Sequence, residues 1–229
     1  MGGREYSQTK ERSRRRKAIP LDGGIRNEYS FLVTAAAAAP HVDDKREAIL
    51  GAALELFADR GFHGTAVPQI AERAGVGAGT IYRYFASKEA IVNALYQRWK
   101  EALGATLMDE FPFDKPARAQ IDHVVTRLFG FAKKHPSALK FLETHHHASY
   151  LDARSLELEA KLLEPVRTFF EHHGKARLTR KAPPEVLFGI VWGGSMGIIR
   201  ASWEGFVQLD DKIVTHAKDA LWDAIRRHD

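Results

Sequence analysis

Residues 65–88 read Thr-Ala-Val-Pro-Gln-Ile-Ala-Glu-Arg-Ala-Gly-Val-Gly-Ala-Gly-Thr-Ile-Tyr-Arg-Tyr-Phe-Ala-Ser-Lys. This stretch restricts the fold more than any other part of the chain. Val67, Ile70, Ala71 and Ala74 recur at helical spacing and form a buried stripe. Thr65 is placed to cap that helix, because its hydroxyl can accept a bond from an orphan backbone N–H. Pro68 falls in the first turn, where its missing N–H costs little. Gly75 can take the left-handed conformation that ends a helix, and Val76 then tucks back onto the core. A second helix starts near Gly77, with Ile81 and Phe85 one turn apart and pointing inward. Short helix, glycine turn, short helix is the layout of a helix-turn-helix.

The second helix, residues 78–84, has an unusual surface. It opens at Ala78 and leaves Thr80, Tyr82, Arg83 and Tyr84 wholly or partly outward. Folding alone explains such a face poorly, whereas a duplex explains it well: Arg reads guanine edges, and hydroxyls and Tyr hold phosphates. Thr65 joins these residues as a candidate DNA contact. Ser87 is placed to cap a long helix beginning at Lys88. A lysine there opposes the helix dipole by roughly 0.3–1 kcal/mol. A phosphate docked at that helix start would reverse the sign, which makes Lys88 a candidate phosphate contact; the alternative is an ordinary solvated lysine.

A third helix precedes the pair. Asp44 and Glu47 have capping-box-like spacing, and Ile49, Ala53, Leu56 and Phe57 form its apolar stripe. Gly61 closes it, with Phe62 placed to contact Phe57. Such a unit is too small for a large core of its own and is expected to lean on the helix that follows.

Residues 45–95 resemble the N-terminal domain of the TetR family of transcriptional regulators. The resemblance rests on Ile49 to Phe57, Gly61-Phe62, Thr65, Ile70-Ala71, Ala74-Gly75-Val76, Gly79 to Phe85, and Ser87-Lys88-Glu89. The chain departs from the family at Gly77, where serine is frequent; the departure removes a side-chain cap and one possible phosphate contact. The resemblance implies an all-helical homodimer that reads double-stranded operator DNA with the helix at 78–84. It also implies a C-terminal domain that binds a small-molecule effector.

Composition is consistent with that. The chain has 229 residues, 45% hydrophobic and 28% charged, enough for a small head and a larger helical domain. The formal net charge of +5 favours a polyanionic partner. With no cysteine, neither a disulfide framework nor a thiolate metal site is possible. No uninterrupted apolar run approaches the ~20 residues that span a bilayer, so no membrane is expected and a cytoplasmic location is the simplest reading. Residues 1–43 carry Arg12, Arg14, Arg15, Arg16 and Lys17 and five alanines before Pro40, without a lasting period. They read as a disordered basic tail or over-extended start, or as an arm adding phosphate or minor-groove contacts.

The expected architecture is all-α, about nine helices in total. A helix-turn-helix domain spans 44–90, and a helical bundle for effector binding and dimerisation spans 91–229. After the helix from 88 to about 108, further helices are expected at 117–134, 137–150, 153–173 (closed by Gly174), 184 to about 204, and from 210 or 211 onward. Gly189, Gly193, Gly194 and Gly197 lie inside a helix, each costing roughly 1 kcal/mol against alanine. They call for close backbone approach: to a neighbour in the same chain, to a ligand, or across a two-fold interface. The candidate dimer contacts are Gly189, Gly193 and Gly197, with Val214, Ala217 and Leu221 on the last helix.

Phe129, Phe141, His145, Tyr150, Phe169, Phe188, Trp192 and Met196 are candidates for a mainly apolar effector pocket, although an aromatic stripe also serves as plain core. Two enzyme readings compete. Gly193-Gly194-Ser195-Met196-Gly197 matches a hydrolase nucleophile elbow, but no strand is legible ahead of it. His145-His146-His147 cannot all face one ion, since successive helical residues point about 100° apart. No metal, cofactor or catalytic residue is assigned.

Overall fold

The apolar periods fold as helices throughout the computed structural model, which describes residues 44–144 and 149–228. The described residues form α1 (Asp44–Arg60), α2 (Val67–Arg73), α3 (Ala78–Tyr84), α4 (Lys88–Met108), α5 (Ala117–Lys134), α6 (Pro136–Thr144), α7 (Ala153–Lys175), α8 (Pro184–Trp203) and α9 (Asp211–Ile225). There is no strand among them, only an isolated antiparallel bridge between Thr179 and Arg226. The expectations for residues 1–43 and for His145 to His147 lie outside the described residues.

Local chemistry sets the helix ends. Gly61 closes α1 at φ 71°, with its N–H donating to Phe57 O at 3.0 Å, and Phe62 stacks on Phe57 at 6.2 Å between ring centroids. Gly75 closes α2 at φ 66°. Its N–H donates to Glu72 O at 3.1 Å and that of Val76 to Ala71 O at 3.0 Å, the paired bonds of a Schellman end. Ser87 caps α4 by accepting from Ala90 N at 3.2 Å, and Asp210 caps α9 by accepting from Ile213 N at 2.8 Å.

Thr65 does not cap α2. The capping position is Ala66, whose N–H donates to Gln69 Oε1 at 2.9 Å. Thr65 is buried, and its hydroxyl lies 2.9 Å from Gly61 O and 3.2 Å from Leu56 O, donating back to the end of α1. The unpaired carbonyls where α1 stops claim the hydroxyl before α2 can. A smaller difference is α7, which runs through Gly174 to Lys175.

One continuous core joins the two halves, from Ile49 in α1 to Ile225 in α9. The head made by α1–α3 leans on α6 as well as on α4, through Phe57 against Phe141 at 6.2 Å. The loop after α7 is pinned to the end of α9 by Arg180 N donating to Ile225 O at 2.8 Å. Contrary to the sequence expectation, α8 is by length and composition apolar enough to cross a membrane; it packs on α9, α7 and α5.

Candidate nucleic-acid interface and ligand cavity

Helix α3 has only 7 residues, too few to stand alone, so the core must hold it. Ile81 and Phe85 are buried, and the guanidinium of Arg46 lies 5.3 Å over the Phe85 ring. With these anchored, Ala78, Tyr82 and Arg83 are exposed and Thr80 and Tyr84 half-buried. The guanidinium of Arg83 sits 5.3 Å from the Tyr84 ring centroid, and Nη2 is 3.3 Å from the Tyr84 hydroxyl. The outward face therefore carries a hydroxyl, a phenol 58% exposed at Tyr82 and a cation.

Lys88 answers the helix-dipole conflict differently from the phosphate contact expected. Its ammonium turns back into the head, donating to Phe62 O at 2.8 Å and Thr65 O at 2.9 Å, and lies 3.9 Å from the Phe62 ring centroid. Carbonyl dipoles and a ring face stabilise the cation. Lys88 thus ties the start of α4 to the α1–α2 turn. Thr65, being buried, likewise presents no hydroxyl to solvent.

Between α4, α5, α7 and α8 lies a cavity of about 460 Å³, within the usual range for small-molecule sites. Phe169, Phe188 and Trp192 line it, with the Phe188 and Trp192 rings 5.7 Å apart. Phe129 and Met196 are core residues instead. Phe141 is spent on Phe57, and Tyr150 stacks on Phe62 at 3.9 Å with its hydroxyl 2.6 Å from His63 Nε2. Neither lines the cavity expected for them, because an inward aromatic has the same period whether it meets a void, a core or a domain junction.

The cavity also has a polar lining that the aromatic pattern does not signal. Tyr96, Lys100, Gln120, Glu143, Glu159 and Ser195 face the cavity among leucines and phenylalanines. Tyr96, Lys100, Leu103 and Leu107 lie on one face of α4, a four-three-four spacing that could have exposed them. Burial, followed by the charge and hydrogen bond of Glu159 and the charge of Glu143, pushes the Tyr96 phenol above its ordinary range, so it stays protonated. Lys100 Nζ is 3.6 Å from Glu159 Oε1, and Trp192 Nε1 donates to Glu143 Oε2 at 3.2 Å.

A polar hub connects the cavity side to the head. Asn93 on α4 is 6% exposed. Its Nδ2 donates to Glu89 O at 2.9 Å and Tyr150 O at 2.7 Å. Its Oδ1 accepts from Asp152 N at 2.8 Å and Ser155 Oγ at 2.7 Å. The neighbour of Tyr150, Leu151, lines the cavity.

On α8, a Cβ added at Gly189, Gly193 or Gly197 would meet nothing within 4 Å, whereas one at Gly194 would lie 2.6 Å from Leu221 Cδ2. Gly194 thus serves packing within the chain and the other three form an open face. Val214, Ala217 and Leu221 are buried inside their own subunit and cannot belong to that face. Ser195 sits within α8, donating to Val191 O at 2.7 Å, not on a strand-to-helix turn. Among the described residues, no group of three or more His, Asp or Glu is arranged to hold a metal.

Comparison with known proteins covers nearly all the described chain. The family model of bacterial regulatory proteins, tetR family, matches residues 49–95. That of the tetracyclin repressor-like C-terminal domain matches residues 96–227. The sequence is 49% identical over 57 residues to the HTH-type transcriptional regulator RutR of Escherichia coli, spanning 25% of this chain and only 27% of that protein. It is 28% identical to the HTH-type transcriptional repressor KstR2 of Mycobacterium tuberculosis over 191 residues, 82% of this chain and 83% of KstR2. A solved TetR family protein from Vibrio parahaemolyticus superposes with a TM-score of 0.64 at 29% identity, covering 80% of this chain and 100% of that one. A TetR family regulator from Marinobacter aquaeolei shares the fold at a TM-score of 0.72 and 22% identity, covering 81% and 97%.

Proposed function

The chain belongs to the tetR family of bacterial regulatory proteins, a family of transcription factors and not enzymes, and from that premise we propose that it is a homodimeric repressor released from operator DNA by a small, mainly apolar effector. The reading rests on one observation above the others: α3 presents Ala78, Thr80, Tyr82 and Arg83 outward from a rigidly anchored frame. A helix so placed enters a major groove with its side chains on base edges and phosphates. Residues 44–90 act as the reading unit and 91–229 as the effector and dimer unit, working in the cytoplasm where the DNA is. Repression is favoured over activation because KstR2, aligned over most of its length, bears the name of a repressor.

The dimer forms across the open glycine face of α8, where Gly189, Gly193 and Gly197 allow a second helix to approach closely. The effector occupies the cavity lined by Phe169, Phe188 and Trp192. It must bind the DNA-incompetent state better, by ~1–3 kcal/mol for an ordinary coupling, and operator must weaken effector binding by the same factor.

Footprinting on the region upstream of the chain's own gene tests the DNA reading. A palindrome is expected, with half-sites about 34–36 Å apart or a multiple of that. Arg83→Ala is expected to relax base preference at one half-site position, costing about 1–3 kcal/mol there. Sequence-blind binding, or an unchanged base preference in Arg83→Ala, contradicts the assignment.

A further inference from the structure

The cavity has more acceptors than donors. Gln120 is 1% exposed. Its Nε2 donates to Lys115 O at 2.8 Å and Phe113 O at 3.4 Å. Carbonyls only accept, so those two bonds fix which way the amide faces. Oε1 is left buried in the cavity wall without a hydrogen-bond partner. Buried acceptors are almost always satisfied, so an orphan of this kind calls for a donor from outside the chain.

Charge runs the same way. The lining holds the carboxylates of Glu143 and Glu159 against the single ammonium of Lys100. Lys100 is already matched with Glu159. Glu143 receives only the neutral indole N–H of Trp192 among the contacts resolved around it, and an ionised carboxylate has about four lone-pair sites to fill. The Ser195 hydroxyl is spent on Val191 O. The rings of Tyr96, Phe188 and Trp192 add faces that attract a cation. An anionic head would meet the Glu143 carboxylate, while Lys100, the ammonium in the lining, is already drawn to Glu159.

We propose that this cavity takes a largely apolar molecule whose polar end donates hydrogen bonds, an amine or an alcohol, and discriminates against carboxylate and phosphate heads. The inference rests on the reading of the cavity as the effector site. Glu143 and Gln120 are its selecting residues: Glu143 for charge, Gln120 for a donor of either kind.

Calorimetry of the full chain with decylamine, 1-decanol and decanoate at neutral pH tests it, since the three share one tail. Decylamine is expected to bind at least tenfold more tightly than decanoate at one site per chain. A decanol affinity equal to that of decylamine assigns the neutral donor; a clear lead for decylamine assigns the cation. Glu143→Gln is expected to bring the amine-to-carboxylate ratio toward one. Decanoate binding as well as or better than decylamine overturns the proposal while leaving the effector site standing. Binding of none of the three overturns both. A folded Glu143→Gln chain with an unchanged ratio also overturns it, and if that variant does not fold, the wild-type comparison decides.

Discussion

Asn93→Ala removes the hub that ties α4 to the start of α7, and its cost can be worked out bond by bond. The side chain makes bonds to Glu89 O, Tyr150 O, Asp152 N and Ser155 Oγ. Asp152 and Glu89 are exposed, so water can replace what they lose. Tyr150 is half-buried and Ser155 is 0% exposed. Ser155 Oγ keeps the bond it accepts from Gln97 Nε2 at 2.9 Å but its own proton is left without an acceptor. Two largely buried groups stranded at about 1–3 kcal/mol each give roughly 2–6 kcal/mol in total. For a chain of this size that is a drop in melting temperature of roughly 4–24 °C.

Thermal unfolding must be run at fixed protein concentration, because the proposed dimerisation would make the midpoint concentration-dependent. The Ser155→Ala and Asn93→Ala changes share a bond, so the double variant is expected to be non-additive by about 0.5–3 kcal/mol. Asn93→Asp should be no better than Asn93→Ala, since it turns an oxygen toward the carbonyls of Glu89 and Tyr150. A loss below about 0.5 kcal/mol, the level of an ordinary surface substitution, or strict additivity with Ser155→Ala, refutes the hub.

Lys88→Ala is expected to lower stability by about 1.5–3 kcal/mol, the range for bonds to a charged donor, without changing the salt slope of DNA binding; a slope reduced by about one unit would return Lys88 to the phosphate contacts. Gly193→Leu should leave the monomer fold intact and raise the dimer dissociation constant in sedimentation, whereas Gly194→Ala should disturb the chain itself through Leu221; a Gly193→Leu chain that dimerises normally removes α8 from the interface. His173 is 2% exposed, and burial, with His172 beside it, lowers its imidazole to about 4. The unfolded chain protonates this group near pH 6.5 and the folded chain does not until about 4, so its contribution is complete above 6.5 and is lost as pH falls through that window, at up to ~1.4 kcal/mol per pH unit. Urea unfolding from pH 7 to 4 should show that loss, and His173→Leu should remove most of it.

What was legible in the sequence is what neighbouring residues decide. Gly75 ends α2 because φ 66° suits a glycine, and Ser87 caps α4 because its hydroxyl is three residues from the N–H it serves. Period and caps together located the head and most of the bundle helices. What was not legible depends on partners far along the chain. The ammonium of Lys88 reaches carbonyls 23 and 26 residues upstream, and the hydroxyl of Thr65 is claimed by carbonyls four and nine residues back at the end of another helix. Phe141 and Phe169 show the same inward period, yet one meets Phe57 and the other a void. Val214, Ala217 and Leu221 are buried within the chain and not at the expected dimer face, since an apolar stripe does not say whether its cover comes from the same chain.

These long-range ties bear directly on the proposed switch. α4 has 21 residues, roughly 30 Å at 1.5 Å per residue. Its first turn is clamped to the head by Lys88, its second is held to α7 by the bond Asn93 accepts from Ser155, and its second half walls the cavity through Leu103, Leu107 and Met108. A packed helix moves as a unit. By simple leverage on that length, a rotation of about 5° at the cavity end carries the head by roughly 2–3 Å, close to one base-pair step of ~3.4 Å. Two heads displaced oppositely across a two-fold axis would double the error in half-site spacing. The clamp at Lys88 is therefore as necessary to the switch as the cavity, because a head free to rock on α4 would absorb the rotation and stay in register. On this argument Lys88→Ala, beyond its cost in stability, should bind operator with nearly normal salt dependence yet respond poorly to effector. A variant that is released from operator as readily as wild type would show that the motion travels by another route.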